Sequence, residues 1–261
     1  MRPAWNPGRR VMEITSANNP RFKSWLRALD SRGARKQGEA ILAGKKFWAE
    51  VLQEHPEQVR AVLCPENIAA PPVAAPVYSL PPALFDRLDI YGTKAPLLLI
   101  SAPPLPVWSG GLAAGLTLFL PFQNPINLGT TIRSAAALGA RVVVMQEAAS
   151  VYHPKTLRAA GPAVFKAELM QGPDLPALAG IAAKSRLPLF ALGLHGGNLF
   201  DFPFPEKCGL VAGMEGPGLE GIWPQENMLT IPMRPGVESL NAAAAVDMAL
   251  GAMLAQRRAL F

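Results

Sequence analysis

The sequence predicts an α/β protein in which a smaller N-terminal unit precedes a larger unit with a mostly parallel sheet. In the larger unit, short apolar segments alternate with helical patterns, which is typical of a parallel sheet covered on both faces. Half of the 261 residues are hydrophobic, enough for sizeable cores. Proline and glycine crowd residues 103–114, which we predict to be a linker between residues 13–102 and residues 115–261.

The N-terminal unit is predicted to open with a helix. Apolar residues recur at helical spacing from Phe22 to Leu29, and Asn19 and Pro20 suit a helix cap and first position. Further along, AILAG, VRAVLCP and KAPLLLIS predict strands, and KKFWAEVLQEH predicts a second amphipathic helix. Between the last two strands, a proline-rich stretch is predicted to carry a short strand and a helix start.

In the C-terminal unit the predicted strands are LTLFLPF, RVVVMQ, VFKAEL, LPLFALGL, GLVAG and MLTIPM. The predicted helices follow NPINLG, cover HPKTLRAA and residues 175–185, begin after GLVAG, and extend from about Asn241 to the C-terminus.

The excess of positive charge lies entirely in the N-terminal part of the chain. Residues 1–60 hold 12 Lys and Arg against 6 Asp and Glu, whereas the remaining residues hold 13 of each. This asymmetry predicts a face that binds a polyanion such as nucleic acid. A soluble helix surface preceded by a basic leader is the alternative.

The sequence predicts a cytoplasmic protein without membrane or metal partners. No uninterrupted apolar run reaches transmembrane length, and residues 1–12 lack the apolar core of a signal peptide. We predict that these residues are a disordered leader, with Met12 as an alternative start to Met1. Cys64 and Cys208 lack zinc-ligand spacing, so we expect two buried reduced thiols, with a disulfide as the alternative.

The first candidate site is NPINLGTTIRSAAALGA, residues 124–140. Asn127 is predicted to cap a helix, and Arg133 follows Gly129 by one turn. Helical side chains lean toward the N-terminus, so Arg133 should reach the helix mouth, where free N–H groups favour an anion. The alternative is an arginine that pairs with a buried carboxylate or extends to water.

Two further glycine- or asparagine-containing stretches follow predicted strands, where ligands bind in open α/β sheets. In GLVAGMEGPGLEG a strand is predicted to end at Gly213, and Glu215 is the lone acid between glycines. In IPMRPGVESLNAAAAVDMAL a strand is predicted to end over residues 231–233, and Ser239 and Asn241 lie at a helix start. Flexible turns and an ordinary helix cap are the alternatives. The alanine run predicts that another segment, a ligand or a partner subunit passes close to this helix.

In this order, the three stretches resemble the three motifs of the SpoU family of the SPOUT superfamily, which are RNA 2′-O-ribose methyltransferases. The resemblance covers residues 115–256. More loosely, ITSANNPRFKSWLRAL and GEAILAGKKFWAEVL resemble the L30e-like substrate-binding domain often fused ahead of that domain. RAAGPAVF departs from the family's RAS-type stretch, so Arg158 receives no role.

The resemblance implies a parallel α/β fold with a deep C-terminal trefoil knot, an obligate homodimer, and S-adenosylmethionine as the methyl donor. The positions that match donor contacts are Leu192, Gly193, Gly213, Ile231, Met233 and Leu240. The positions that match the polar catalytic cluster are Asn127, Arg133, Glu215, Ser239 and Asn241.

The family proposal makes the arginine a base, but an arginine side chain in a protein is effectively always protonated. We therefore expect Arg133 to hold the ribose 2′-oxygen and the adjacent phosphate, although a passing deprotonation assisted by that phosphate is an alternative. Ser239 and Asn241 would orient the ribose, and Glu215 would hold Arg133 or its loop.

The leading functional prediction is therefore an RNA ribose 2′-O-methyltransferase acting on structured RNA, with ribosomal RNA ahead of transfer RNA. A non-catalytic RNA-binding or ribosome-assembly protein on the same scaffold is the alternative. A nucleotide-dependent enzyme that uses GMEGPG as a phosphate loop is disfavoured, because lysine and paired acids for magnesium are missing nearby.

Overall fold

The computed structural model describes residues 11–69, 73–214, 219 and 221–256, which belong to two compact units. The first unit contains the chain up to Pro104 together with Tyr152–Phe165, and the second contains Leu105–Val151 and the chain from Lys166 onward. None of the helices in the described ranges combines the length and apolar character needed to span a bilayer.

The sheet of the first unit mixes parallel and antiparallel pairs. Its strand order is β1-β4-β3-β5-β2, in which β5 is antiparallel to both of its neighbours and the other pairs are parallel. The strands are β1 (Met12–Glu13), β2 (Glu39–Leu42), β3 (Val59–Pro65), β4 (Val77–Leu80) and β5 (Leu97–Ser101). The predicted leader thus reaches this sheet at Met12, while residues 1–10 lie outside the described residues.

The helices of the first unit that precede its last strand are α1 (Pro20–Arg27), α2 (Ser31–Gln37), α3 (Trp48–Glu54) and α4 (Pro82–Leu88). Short 3-10 turns cover Lys45–Phe47 and Pro56–Gln58. The predicted cap of α1 is confirmed, because the Asn19 side chain accepts a hydrogen bond from the Arg21 N–H at 2.9 Å. The sequence predicts no separate helix at α2, because its polar sequence SRGARKQ has no apolar periodicity.

The predicted parallel sheet of the second unit is confirmed. Its order is β11-β9-β10-β6-β7-β8, and every neighbouring pair is parallel. Its strands are β6 (Gly115–Leu120), β7 (Arg141–Val144), β8 (Leu169–Gln171), β9 (Leu189–Asn198), β10 (Lys207–Val211) and β11 (Met228–Thr230). The helices are α5 (Pro125–Leu138), α8 (Leu175–Ser185) and α9 (Ala242–Gln256), while α6 (Pro154–Ala160) belongs to the first unit and α7 (Ala163–Lys166) follows it.

Three predicted strand boundaries in this unit are wrong. VFKAEL was expected to be one strand, but its first residues belong to α7 and only Leu169 lies in β8. The strand expected to end at Gly213 ends at Val211, and the strand expected to end over residues 231–233 ends at Thr230. Buried apolar residues such as Ile231 follow the last residue that pairs in the sheet. A prediction from hydrophobicity alone therefore places the end of the strand too far along the chain.

Each unit has its own apolar core. In the first, Phe22 and Trp25 of α1 are buried together with Leu63 and Phe85. In the second, Trp108 from the predicted linker is buried and packs edge-on against Phe119 of β6. Both cysteines are free and buried, as expected from the sequence.

Candidate active site

The first motif builds the start of α5 just after β6 ends. Asn124 caps this helix, because its side chain accepts a hydrogen bond from the Ile126 N–H at 2.9 Å. The prediction that Asn127 is the cap is therefore wrong. Pro125 occupies the first helical position, where a missing N–H costs nothing, so the cap is the residue before it. Asn127 instead lies in the first turn and is buried.

A hydrogen bond joins the first motif to the third. The side-chain amide of Asn241 donates from Nδ2 to Oδ1 of Asn127 at 3.0 Å. At its other end, Oδ1 of Asn241 accepts the N–H groups of Ala243 and Ala244 at 3.0 and 3.2 Å, which caps α9. One side chain therefore fixes the start of α9 and ties it to the first turn of α5.

The alanine run of the third motif allows α9 to pack directly on α5. Ala243, Val246 and Leu250 recur at helical spacing and are buried on this helix. Of the three neighbours predicted from the alanines, α5 is one that the structure shows. Small side chains let the two helix axes approach closely, which brings Asn127 within reach of Asn241.

Arg133 lies on α5 six residues beyond Asn127, about 9 Å further along the helix axis. No hydrogen bond joins these two side chains, which both lie in the described part of the chain. Arg133 is exposed, and within the described ranges it forms neither a hydrogen bond nor an ion pair. A partner carboxylate, the structural alternative for this arginine, is not found among those residues. Among the described residues, the Arg133 guanidinium therefore has no competing anionic partner.

The remaining polar positions differ in their surroundings. Ser239 is exposed in the segment that precedes α9. Glu215, the predicted acid of the second motif, lies outside the described residues. Across the described part of the chain, no group of His, Cys, Asp and Glu side chains is arranged to hold a metal ion.

A loop inside β9 forms the most irregular part of the parallel sheet. Ala191 pairs with Met228 of β11, but the next pair joins Gly197 to Leu229. Residues 192–196 therefore leave the ladder on one strand only, and we call them the β9 loop. The Thr230 hydroxyl donates to the Leu194 carbonyl oxygen at 3.0 Å, which fastens the loop to β11.

Glycines make this loop possible by letting it fold around Met228. A Cβ atom on Gly193 would overlap the end of the Met228 side chain, and one on Gly196 would overlap the Met228 carbonyl group. Gly196 also has a φ of +151°, which L-residues with side chains rarely adopt. Sequence reasoning missed Leu194 and Thr230, although the glycines in LGLHGG are a signal of close backbone approach.

Of the predicted donor-binding positions, Leu192 and Gly193 lie in the β9 loop, Gly213 follows β10, and Ile231 and Met233 follow β11. A Cβ atom on Gly213 would lie 3.2 Å from the Leu192 carbonyl oxygen, so these two backbones run side by side. Leu192 and Ile231 are buried, and Gly193 and Met233 are partly exposed. Leu240 is more exposed, at 37%. Backbone polar groups beside apolar side chains suit a ligand with a flat apolar ring and polar edges.

Arg158, which received no role from the sequence, lies in the first unit with the rest of α6. Its guanidinium carbon is 4.3 Å from the centroid of the Tyr91 ring, a cation–π arrangement. The α6 stretch of the resemblance therefore contributes to the N-terminal unit and not to the parallel sheet.

Comparisons with known proteins agree with this architecture. The model of the SpoU rRNA Methylase family matches residues 117–251, more than half of the chain. The chain is similar to Ribosomal RNA small subunit methyltransferase G 2 of Syntrophobacter fumaroxidans, at 40% identity over 91% of this chain. It spans only 48% of that protein, about half of its length.

A second relative and a solved structure cover both chains almost completely. A 23S rRNA guanosine 2′-O-methyltransferase of Bacillus subtilis is 25% identical over 90% of this chain and 96% of its own length. The crystal structure of the SpoU methyltransferase AviRb of Streptomyces viridochromogenes, in complex with AdoMet, superposes with a TM-score of 0.78. That match has 25% identity and covers 93% of this chain and 99% of AviRb. The resemblance read from the three motifs is confirmed, and this chain belongs to the SpoU rRNA methylase family.

Proposed function

We propose that this protein transfers a methyl group from S-adenosylmethionine to a ribose 2′-hydroxyl of structured RNA, with ribosomal RNA ahead of transfer RNA. The observation that carries the proposal is the Asn241–Asn127 hydrogen bond, which unites two of the three motifs at the carboxyl edge of a parallel sheet. Membership of the SpoU family supports the same reaction.

The names of the relatives support ribosomal RNA as the substrate class. The Bacillus subtilis relative is named for 2′-O-methylation of 23S rRNA, whereas the Syntrophobacter fumaroxidans relative is named for the small subunit. Because the present chain spans about half of the latter protein, that name can describe its other half. The proposal therefore specifies ribosomal RNA without choosing a subunit.

S-adenosylmethionine would be held by the β9 loop, Gly213, residues 231–233 and Leu240. The site fits such a ligand, because any side chain at position 213 would fill the narrow space beside the Leu192 carbonyl oxygen. AdoMet in the AviRb crystal structure supports the choice of donor. When bound, the donor supplies an electrophilic methyl group on its sulfonium sulfur.

Arg133 would hold the ribose 2′-oxygen and a neighbouring phosphate through two N–H donors. Its positive charge would stabilise the alkoxide that develops as the 2′-hydroxyl proton passes to solvent water, and positioning of the 2′-oxygen would supply much of the rate enhancement. Ser239 would orient the ribose. Asn241 retains one N–H beyond the one given to Asn127, and this group would assist Ser239. Glu215 would hold Arg133 or its loop.

We also propose a homodimer and the C-terminal trefoil knot that the resemblance implies. Ile126 near the start of α5 and Met248 on α9 are large apolar side chains that are 52% and 43% exposed, and their exposure supports a dimer contact. A Met248→Arg variant should therefore sediment as a monomer where the wild-type protein sediments as a dimer. The order of the last elements supports the knot. Strand β11 pairs with β9, and α9, which follows β11 in the chain, packs against α5, which precedes β9 in the chain.

Methyl transfer from tritiated S-adenosylmethionine to purified ribosomal RNA tests the proposed function. We expect label in RNA that resists alkaline cleavage at one linkage, because a 2′-O-methyl group blocks the attacking oxygen. An Arg133→Ala variant should give no label while it still binds the donor in calorimetry. Donor-independent RNA binding without methyl transfer would contradict the proposal and favour a non-catalytic RNA-binding protein.

A further inference from the structure

We propose that helices α1 and α2 form a rigid cationic surface, the α1–α2 hairpin, which binds the phosphate backbone of the RNA. This inference rests on the proposed RNA substrate. The hairpin carries six basic residues within 16 positions: Arg21, Lys23, Arg27, Arg32, Arg35 and Lys36. All six are exposed, and none forms an ion pair among the described residues.

The single acid within the hairpin does not neutralise these cations. The Asp30 carboxylate caps α2 and accepts the N–H groups of Arg32 and Gly33 at 3.0 and 3.1 Å. Its negative charge is therefore directed at the positive end of the α2 dipole. The Arg21 guanidinium lies 5.1 Å from the centroid of the Tyr78 ring, whereas the other five basic side chains of the hairpin form no ion pair or ring contact within the described ranges.

A close helix crossing fixes the two helices against each other. A Cβ atom on Gly33 would overlap the backbone carbonyl oxygen of Arg27, so only glycine permits this approach. The Ser24 hydroxyl also donates to Oε1 of Gln37 at 2.9 Å, which adds a second connection between the helices. The hairpin thus presents its charges on a preorganised surface and not on a flexible tail.

The spacing of the cations explains why an anion is the expected partner. Arg32 lies three and four residues before Arg35 and Lys36, so the three side chains share one face of α2. The backbone of Arg27 packs against α2 at Gly33, which lies one turn before Lys36. Like charges at such spacing destabilise a helix surface unless a ligand neutralises them. A polyphosphate backbone satisfies several of them at once, and this contact is independent of base sequence.

Salt-dependent binding of a 20-nucleotide RNA hairpin of arbitrary sequence, followed by fluorescence anisotropy, tests this surface. The triple variant Arg32→Gln, Arg35→Gln, Lys36→Gln removes three cations from α2. We expect its affinity to fall at least about tenfold and its slope of log affinity against log salt to decrease by about two to three. A control triple variant, Lys184→Gln, Arg186→Gln and Lys207→Gln, removes three exposed cations from the second unit. It should stay within about twofold of wild type.

Wild-type affinity and salt slope in the Arg32, Arg35 and Lys36 variant would overturn the proposal. A similar loss in both triple variants would also overturn it, because the binding would then follow net charge alone. Donor binding measured by calorimetry in the same preparations separates this proposal from the proposed function. If the wild-type protein binds no S-adenosylmethionine, the proposed function fails, while the comparison of the two variants still decides whether the α1–α2 hairpin binds RNA.

Discussion

Nδ2 of Asn241 donates to Oδ1 of Asn127 across the junction of α9 and α5, at 3.0 Å. The two residues are 114 positions apart in the chain, so this contact closes a long loop. It also leaves the side-chain oxygen Oδ1 of Asn241 free to cap α9. A side chain that cannot supply both a donor and an acceptor will disturb either the helix start or the link between the motifs.

Replacement of Asn241 by aspartate should separate these two roles. Aspartate keeps the oxygen that caps α9 but loses the donor to Asn127, and it places two acceptors against each other. We expect at least about a tenfold loss of kcat/KM, with most of the capping stability retained. Asn241→Ala should also lose the cap, at about 1 kcal/mol in the free energy of unfolding.

The matched control for this pair is Asp174→Asn, which exchanges the cap of α8 between the same two residue types. Its kcat/KM should equal that of the wild-type protein. Wild-type turnover in Asn241→Asp would show that the bond to Asn127 does not organise the site.

Arg133→Lys tests the two-donor role of this side chain. Lysine keeps the charge but lacks the planar pair of N–H groups, so we expect kcat/KM to fall about 100-fold. Because Arg133 is exposed and forms no bond within the described ranges, the free energy of unfolding should change by less than about 0.5 kcal/mol. The donor Kd should be unchanged in calorimetry. Near-full turnover with normal donor binding would refute the role.

Gly196→Ala should damage the β9 loop selectively. The new methyl group would overlap the Met228 carbonyl group, and the φ of +151° would strain any L side chain. We expect a loss of about 1–3 kcal/mol in the free energy of unfolding and weaker donor binding. Gly180→Ala on α8 is the control, because nothing lies within 4 Å of its added Cβ. A Gly196→Ala protein with wild-type donor affinity would exclude the loop from the donor site.

The stability of the first unit should depend on His153. Its side chain caps α6 by accepting the Lys155 N–H on Nδ1 at 3.1 Å, which requires the neutral imidazole. Burial lowers the pKa of His153 below its ordinary value of 6.5, and the nearby Lys155 lowers it further, while Asp30 acts in the opposite direction.

Because the unfolded chain binds the His153 proton more readily, the free energy of unfolding should decrease as the pH falls below about 6.5. Chemical denaturation at pH 7.5 and at pH 5.5 measures this decrease. An Asn at position 153 caps without titrating, so His153→Asn should show a weaker pH dependence. An identical pH dependence in both proteins would assign the effect to other groups.

Much of the fold could be predicted because its elements carry local signals. The helix cap at Asn19 and the parallel sheet of the second unit follow from turn residues and apolar periodicity. Helix α2 lacks apolar periodicity, and its only local signals are the caps at its two ends, Asp30 and a left-handed Gly38. The placement of α6 in the first unit depends on tertiary packing, which no local pattern records.

The candidate site could be predicted only in part for the same reason. The three motifs supplied its residues, but a sequence shows neither which side chains meet nor which helix position caps. Asn127 looked suitable as a cap, and Pro125 shifted that role to Asn124. The β9 loop was harder to foresee, because it follows from a pairing shift between Met228 and Leu229 on a different strand.

The proposed ribose 2′-O-methyltransferase activity is tested most directly by a map of ribose 2′-O-methylation across the ribosomal RNA of cells that lack this protein. We expect that one ribose loses its methyl group. The wild-type gene should restore it, and a gene encoding Arg133→Ala should not, although the variant protein accumulates normally. Unchanged methylation at every ribose would contradict the proposed methyltransferase function. Full restoration by the Arg133→Ala gene would contradict the role of Arg133 in that reaction.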